Sequence, residues 1–203
     1  MKNNITLIGM PSAGKSTVGV LLAKRLGYSF LDVDIVIQEK TGKLLKEIIK
    51  EQGMDGFMEV ENRINAGVDT SRAVIAPGGS VIYGKEAMEN LKSLGLVVYL
   101  KISYEELCRR LGDVVDRGVV LKEGMTLKDL YEERCEYFER YADITMDEEG
   151  KSLGRVVDEL REEMEARGYS LLKKLVQRPG TESRIRAAGR KNAWERFIRE
   201  LKN

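Results

Sequence analysis

The chain has 203 residues, 42% hydrophobic and 33% charged, enough to bury a core and too apolar for a disordered polymer. It contains no His, which excludes His-ligated metals, a Ser-His-Asp triad and a His general base; the two Cys form no CxxC pair, which points to a reduced, cytoplasmic protein. The net charge of +1 exerts no global pull toward nucleic acid, but residues 177–203 carry a net +5 and leave the other 176 residues at −4.

The N-terminus carries no long apolar segment of the signal-peptide kind, and no stretch has the length of a membrane span. Residues 5–8 (Ile-Thr-Leu-Ile) predict a buried strand ending at Gly9. The next eight residues, Gly9-Met10-Pro11-Ser12-Ala13-Gly14-Lys15-Ser16, fit GxxxxGK[ST] between that strand and a helix over 17–26. In such a loop the backbone N–H groups turn inward around phosphate oxygens, and the helix N-terminus adds partial positive charge. Lys15 is placed to bridge β- and γ-phosphates and Ser16 to hold Mg²⁺, with Thr17 beside them. The alternative is an ordinary Gly-rich turn.

A second strand is predicted over 28–33. Asp32 and Asp34 stand at i and i+2 near its end, so both carboxylates are expected on one face beside the loop. One would serve Mg²⁺ and the other accept a proton from an attacking hydroxyl. Helices follow over 35–50, interrupted near Gly42, and over 57–68. Residues 73–76 predict a strand closed by Pro77-Gly78-Gly79-Ser80, a turn that lets backbone approach a small acceptor or simply connects β to α. A helix over 86–94, a strand over 96–102 and a helix over 105–111 come next. Arg117 lies in a Gly-bounded stretch that reads either as a mobile lid or as a solvated loop. The series ends with a helix over 127–141, a strand over 144–146 and a helix over 153–166.

Strands alternating with helices imply a parallel sheet covered on both faces, a three-layer α/β/α sandwich of the P-loop kinase type. Residues 1–176 form the expected kinase domain, with an acceptor-binding subdomain at about 35–65 and a lid at about 112–125. An N-K-x-D element for guanine is missing, and the chain is short for a motor ATPase. A small-molecule kinase using ATP and Mg²⁺ is therefore expected, acting on an alcohol.

Over about residues 1–170 the pattern resembles the shikimate kinase family. The residues that carry it are the loop 9–16, Asp32 and Asp34, the Gly53…Phe57…Glu61 segment, Gly78-Gly79, Arg109-Arg110, Arg117 and Arg134…Ala142. The resemblance implies phosphoryl transfer from MgATP to an alcohol. It gives Lys15, Ser12, Ala13, Gly14 and Gly9 to the phosphates, Ser16 and Asp32 to Mg²⁺, and Asp34 to the acceptor hydroxyl. Gly78 and Gly79 would line the acceptor, Arg110 would flank adenine, and Arg117 would be the lid Arg.

Three departures bear on the acceptor. Met58 stands where the family pattern has an Arg after the Phe, Ser80 replaces a third Gly, and Glu139 falls where a second carboxylate-binding Arg is counted, five residues past Arg134. A Glu facing the pocket would repel a carboxylate and receive an ammonium, so an amino-bearing alcohol such as homoserine is the expected acceptor. The alternatives are shikimate, with Arg134, Arg140 or Arg63 taking over the carboxylate and Glu139 turned to solvent, and a non-catalytic nucleotide-dependent module. Beyond Pro179-Gly180, residues Trp194, Phe197, Ile198 and Leu201 recur at helical spacing amid Lys and Arg. This basic amphipathic extension, 177–203, would dock on a partner, a membrane interface or the kinase itself. A monomer is expected.

Overall fold

The sheet is built from strands whose burial ranks them. Strand β1 (Asn4–Ile8) and β3 (Ala73–Ala76) are buried at every position, β4 (Gly95–Lys101) at all but two, whereas β2 (Ser29–Asp32) and β5 (Ile144–Asp147) are largely half-exposed. Uniformly apolar runs suit the middle of a sheet covered on both faces. The computed structural model, which describes residues 3–111 and 124–169, shows the order β2-β3-β1-β4-β5 with every pair parallel. The expected α/β sandwich is thus the observed architecture. From β1 the chain runs toward β2 and from β3 toward β4, so the connections diverge at adjacent strands and open a crevice at their carboxyl ends. Residues 9–14 and 77–80 follow those two strands.

The covering helices are α1 (Lys15–Leu26), α2 (Val33–Thr41), α3 (Leu45–Ala66), α4 (Lys85–Leu94), α5 (Tyr104–Leu111), α6 (Leu127–Tyr141) and α7 (Leu153–Ala166). Among the described residues none is long and apolar enough to cross a membrane. Two of them depart from expectation. The strand expected over 28–33 stops at Asp32, because the Asp32 carboxylate accepts the amide of Asp34 at 3.1 Å and caps α2. Asp34 therefore lies in the first turn of a helix and not on the strand. The expected break between helices near residues 51–56 is confined to one residue: Gly53, at φ 72° and ψ −178°, is not helical and divides α3 into two helical segments.

Helix α6 is oriented by its apolar stripe. Phe138 is fully buried and stacks on Tyr99 of β4 with ring centroids 5.1 Å apart. Leu130 and Arg134 precede it at steps of four and share its inward face. This packing sets which α6 side chains reach the crevice. Arg117 and most of the expected lid, together with the extension 177–203, lie outside the described residues.

Candidate active site

The loop between β1 and α1 arches around an open helix end. Gly9, Ser12 and Gly14 take positive φ values of 152°, 63° and 89°. No side chain caps α1 at Gly14, so the first-turn amides stay available to an anion. Lys15 folds back over the loop and donates to the carbonyls of Gly9 and Met10, both at 3.0 Å. Burial pushes its ammonium down to about 8, with the Asp34 carboxylate opposing. Ala13 is fully buried and its amide donates to the Met10 carbonyl at 3.1 Å, so it braces the loop from beneath. Ser12, Gly14, Lys15, Ser16 and Thr17 line one large cavity of about 1020 Å³ that runs from here to the turn after β3.

Ser16 donates its hydroxyl to Asp32 at 2.8 Å, on the exposed side of that cavity. A hydroxyl and a carboxylate so paired, with room for waters and phosphate oxygens, fit Mg²⁺, which takes few protein ligands. Among the described residues no cluster of three or more His, Cys, Asp or Glu could hold a metal by itself. Asp34 lines the same cavity. Burial raises its pKa, the Asp32 charge adds to that, and Lys15 opposes it.

The far end of the cavity is made by side chains from separate elements. Glu61 of α3 is 1% exposed and accepts the Ser80 hydroxyl at 2.5 Å. Its other carboxylate oxygen has no hydrogen-bond partner and lies against Gly78, where a Cβ would sit 1.9 Å from it and 3.1 Å from an Asp34 oxygen. That approach demands glycine. Burial raises the Glu61 pKa to about 7, against the lowering effect of the Ser80 hydrogen bond. Arg134 of α6 is also buried; its Nε donates to the Tyr83 hydroxyl at 3.4 Å, and its Nη1 lies 3.3 Å from where a Gly79 Cβ would stand.

Several expected site residues fall elsewhere. Glu139 does not face the cavity. It is exposed on the other side of α6 and pairs with Lys101 at 2.9 Å, because Phe138 beside it occupies the inward position. Met58 lines a separate pocket of about 180 Å³ with Tyr83, Leu130 and Glu133, adjoining the main cavity at Met54 and Arg134. Arg110, by contrast, lines the main cavity and reaches the loop, 3.5 Å from the Ser12 carbonyl, with its guanidinium paired to Glu106 and, at 2.9 Å, to the buried Glu148. Arg117 cannot be placed against the cavity from the described residues.

Two buried site residues were not among the assigned ones. The resemblance names Glu61 only within a family segment, and Arg134 within another and as one of three alternatives for the carboxylate. Both carried a usable signal. Leu130, Arg134 and Phe138 are spaced i, i+4, i+8, and Phe57, Val60, Glu61 and Ile64 share one face, so a charge interrupts a buried stripe in each case.

The shikimate kinase family model matches residues 11–165. The shikimate kinase of Moorella thermoacetica is 38% identical over 169 residues, which make up 82% of this chain and 96% of that protein. That of Persephonella marina is 35% identical over 158 residues, 77% of this chain and 96% of its own. Among solved structures, shikimate kinase from Acinetobacter baumannii in complex with shikimate superposes with a TM-score of 0.73 at 29% identity, covering 82% of this chain and 95% of that one. The Aquifex aeolicus shikimate kinase superposes with a TM-score of 0.66 at 32% identity, covering 80% and 98%.

Proposed function

Because the chain belongs to the shikimate kinase family, and so is an ATP- and Mg²⁺-dependent kinase acting on a hydroxyl of a small molecule, we propose that its acceptor is shikimate, anchored by its carboxylate on Arg134. The observation that carries this reading is Arg134 itself. It is a buried guanidinium on the cavity wall, and no ion pair neutralises it among the described residues. A buried cation of this kind suits a carboxylate, which it can meet through two parallel N–H donors. The reading of homoserine as acceptor rested on Glu139, whose carboxylate is at the surface with Lys101. Met58 contributes no second guanidinium, so among the described residues Arg134 is the anchor.

The chemistry follows from the two ends of the cavity. Lys15 and the amides of the loop would hold the β- and γ-phosphates, and Ser16 with Asp32 would hold Mg²⁺. Held there, the metal would act as a Lewis acid that neutralises charge on the phosphates. Asp34, between the loop and Gly78, would accept the proton of the acceptor hydroxyl as its oxygen bonds to the γ-phosphorus. The bond from that phosphorus to the β–γ bridging oxygen breaks, and ADP leaves. The raised pKa of Asp34 makes it a better proton acceptor than a solvated carboxylate.

The test offers MgATP with shikimate or homoserine and measures ADP. Release with shikimate and none above background with homoserine is expected. The reverse result overturns the assignment of the acceptor.

A further inference from the structure

Glu61 and Arg134 are opposite charges buried in one cavity, and Arg134 lowers the Glu61 pKa, yet among the described residues no salt bridge joins them. Arg134 instead donates to the Tyr83 hydroxyl and lies 5.6 Å from the centre of that ring. Among the described residues Glu61 has one hydrogen-bond donor to its carboxylate, the hydroxyl of Ser80 at 2.5 Å. Its second oxygen is without a partner. Met58, three residues earlier on α3, brings no charge to it. A buried carboxylate stripped of its only donor moves toward the nearest cation, because leaving it unpaired is costly.

We propose that Ser80 is a positioning residue of the acceptor site: by holding Glu61 against Gly78, it keeps that carboxylate off Arg134 and leaves the guanidinium for the carboxylate of the incoming alcohol. The inference rests on Arg134 being the acceptor's anchor. Ser80 is well built for this. It is 7% exposed, and it caps the short turn Val81–Tyr83, with its carbonyl accepting the Tyr83 amide at 3.0 Å. The hydroxyl that fixes Glu61 and the Tyr83 that braces Arg134 therefore belong to one rigid turn, and the two charges are held apart by a common frame.

The test compares Ser80→Ala and Ser80→Gly, each alone and combined with Glu61→Gln. In Ser80→Ala, Glu61 competes for Arg134, so KM for shikimate should rise about tenfold, kcat should fall less, and KM for MgATP should stay within about twofold. Adding Glu61→Gln removes the competing charge and should return KM to that of Glu61→Gln alone. Ser80→Gly, with a backbone any residue adopts at this position, should repeat the pattern if the Ala variant is too unstable to assay. An equal rise in KM whether position 61 is Glu or Gln overturns the proposal. A crystal structure of Ser80→Ala supplies a readout independent of turnover: Glu61 turned onto Arg134 is expected, and Glu61 still against Gly78 overturns the proposal. Wild-type protein inactive on shikimate overturns the acceptor reading, and the position of Glu61 in that crystal structure then decides the role of Ser80 by itself.

Discussion

The two ends of the cavity are built on different principles. The phosphate end is one continuous stretch, 9–16, which offers backbone amides and an open helix end, with Asp32 arriving from the end of β2, one strand beyond β3. The acceptor end has no such stretch. Asp34, Glu61, Ser80 and Arg134 come from α2, α3, the turn after β3 and α6, and meet only through packing. Backbone recognition tolerates changes in neighbouring side chains, while recognition by side chains changes with one substitution. Met58 and Ser80 both fall at the acceptor end, where the chain departs from the pattern it otherwise resembles.

The comparison can be broken first at the phosphate end. Lys15→Ala removes the cation on the loop and should lower kcat by about 10³-fold in the ADP-release assay with the far-UV circular dichroism unchanged. Turnover near the wild-type level would remove the nucleotide from this loop. At the acceptor end, Arg134→Met should lower kcat/KM for shikimate by about 10²-fold, as truncating one partner of a buried charge pair does, and leave KM for MgATP nearly as it was. Equal losses for both substrates would mean that the two ends are not separable.

Glu61 gives a third, smaller effect that reads on stability. The unfolded chain releases this proton near 4.5, the folded protein holds it to about 7. Between those values the folded state binds more protons, so this residue's contribution to stability falls as pH rises, and is constant above the window. The stability of Glu61→Gln relative to wild type should therefore improve by roughly 2–3 kcal/mol between about pH 5 and about pH 8, measured by denaturant titration at each pH. A gap that does not move with pH would mean that burial does not raise the Glu61 pKa. The smallest effect belongs to Glu139→Ala. It breaks an exposed pair with Lys101 and should change stability by less than about 1 kcal/mol and leave shikimate kinetics as they were. A change in acceptor preference would return Glu139 to the cavity.

How much of this was legible depends on what each feature is made of. The phosphate loop could be read because its chemistry needs particular residues at fixed spacing along the chain. The alternation of strands and helices could be read because each element carries its own periodicity. Asp34 was placed near the loop correctly but on the wrong element, since nothing in a local pattern says that Asp32 will turn its side chain to cap a helix two residues early. On α6, counting along the chain led to Glu139, whereas the spacing of Leu130, Arg134 and Phe138 marks Arg134 as the inward residue.

The amino-acid sequence by itself determined that this chain folds as a parallel α/β kinase with a phosphate loop at its start, because those properties are local: hydrophobic period, glycine conformation and a helix N-terminus all act over a few residues. Which charges share the acceptor cavity was decided only by the tertiary structure. Phe138 stacking on Tyr99 sets the rotation of α6 and turns Arg134 inward and Glu139 out. The close approach at Gly78 leaves room for Glu61 to reach Ser80. Rotations and approaches of this kind are properties of helices packed on a sheet, fixed by contacts between residues tens of positions apart.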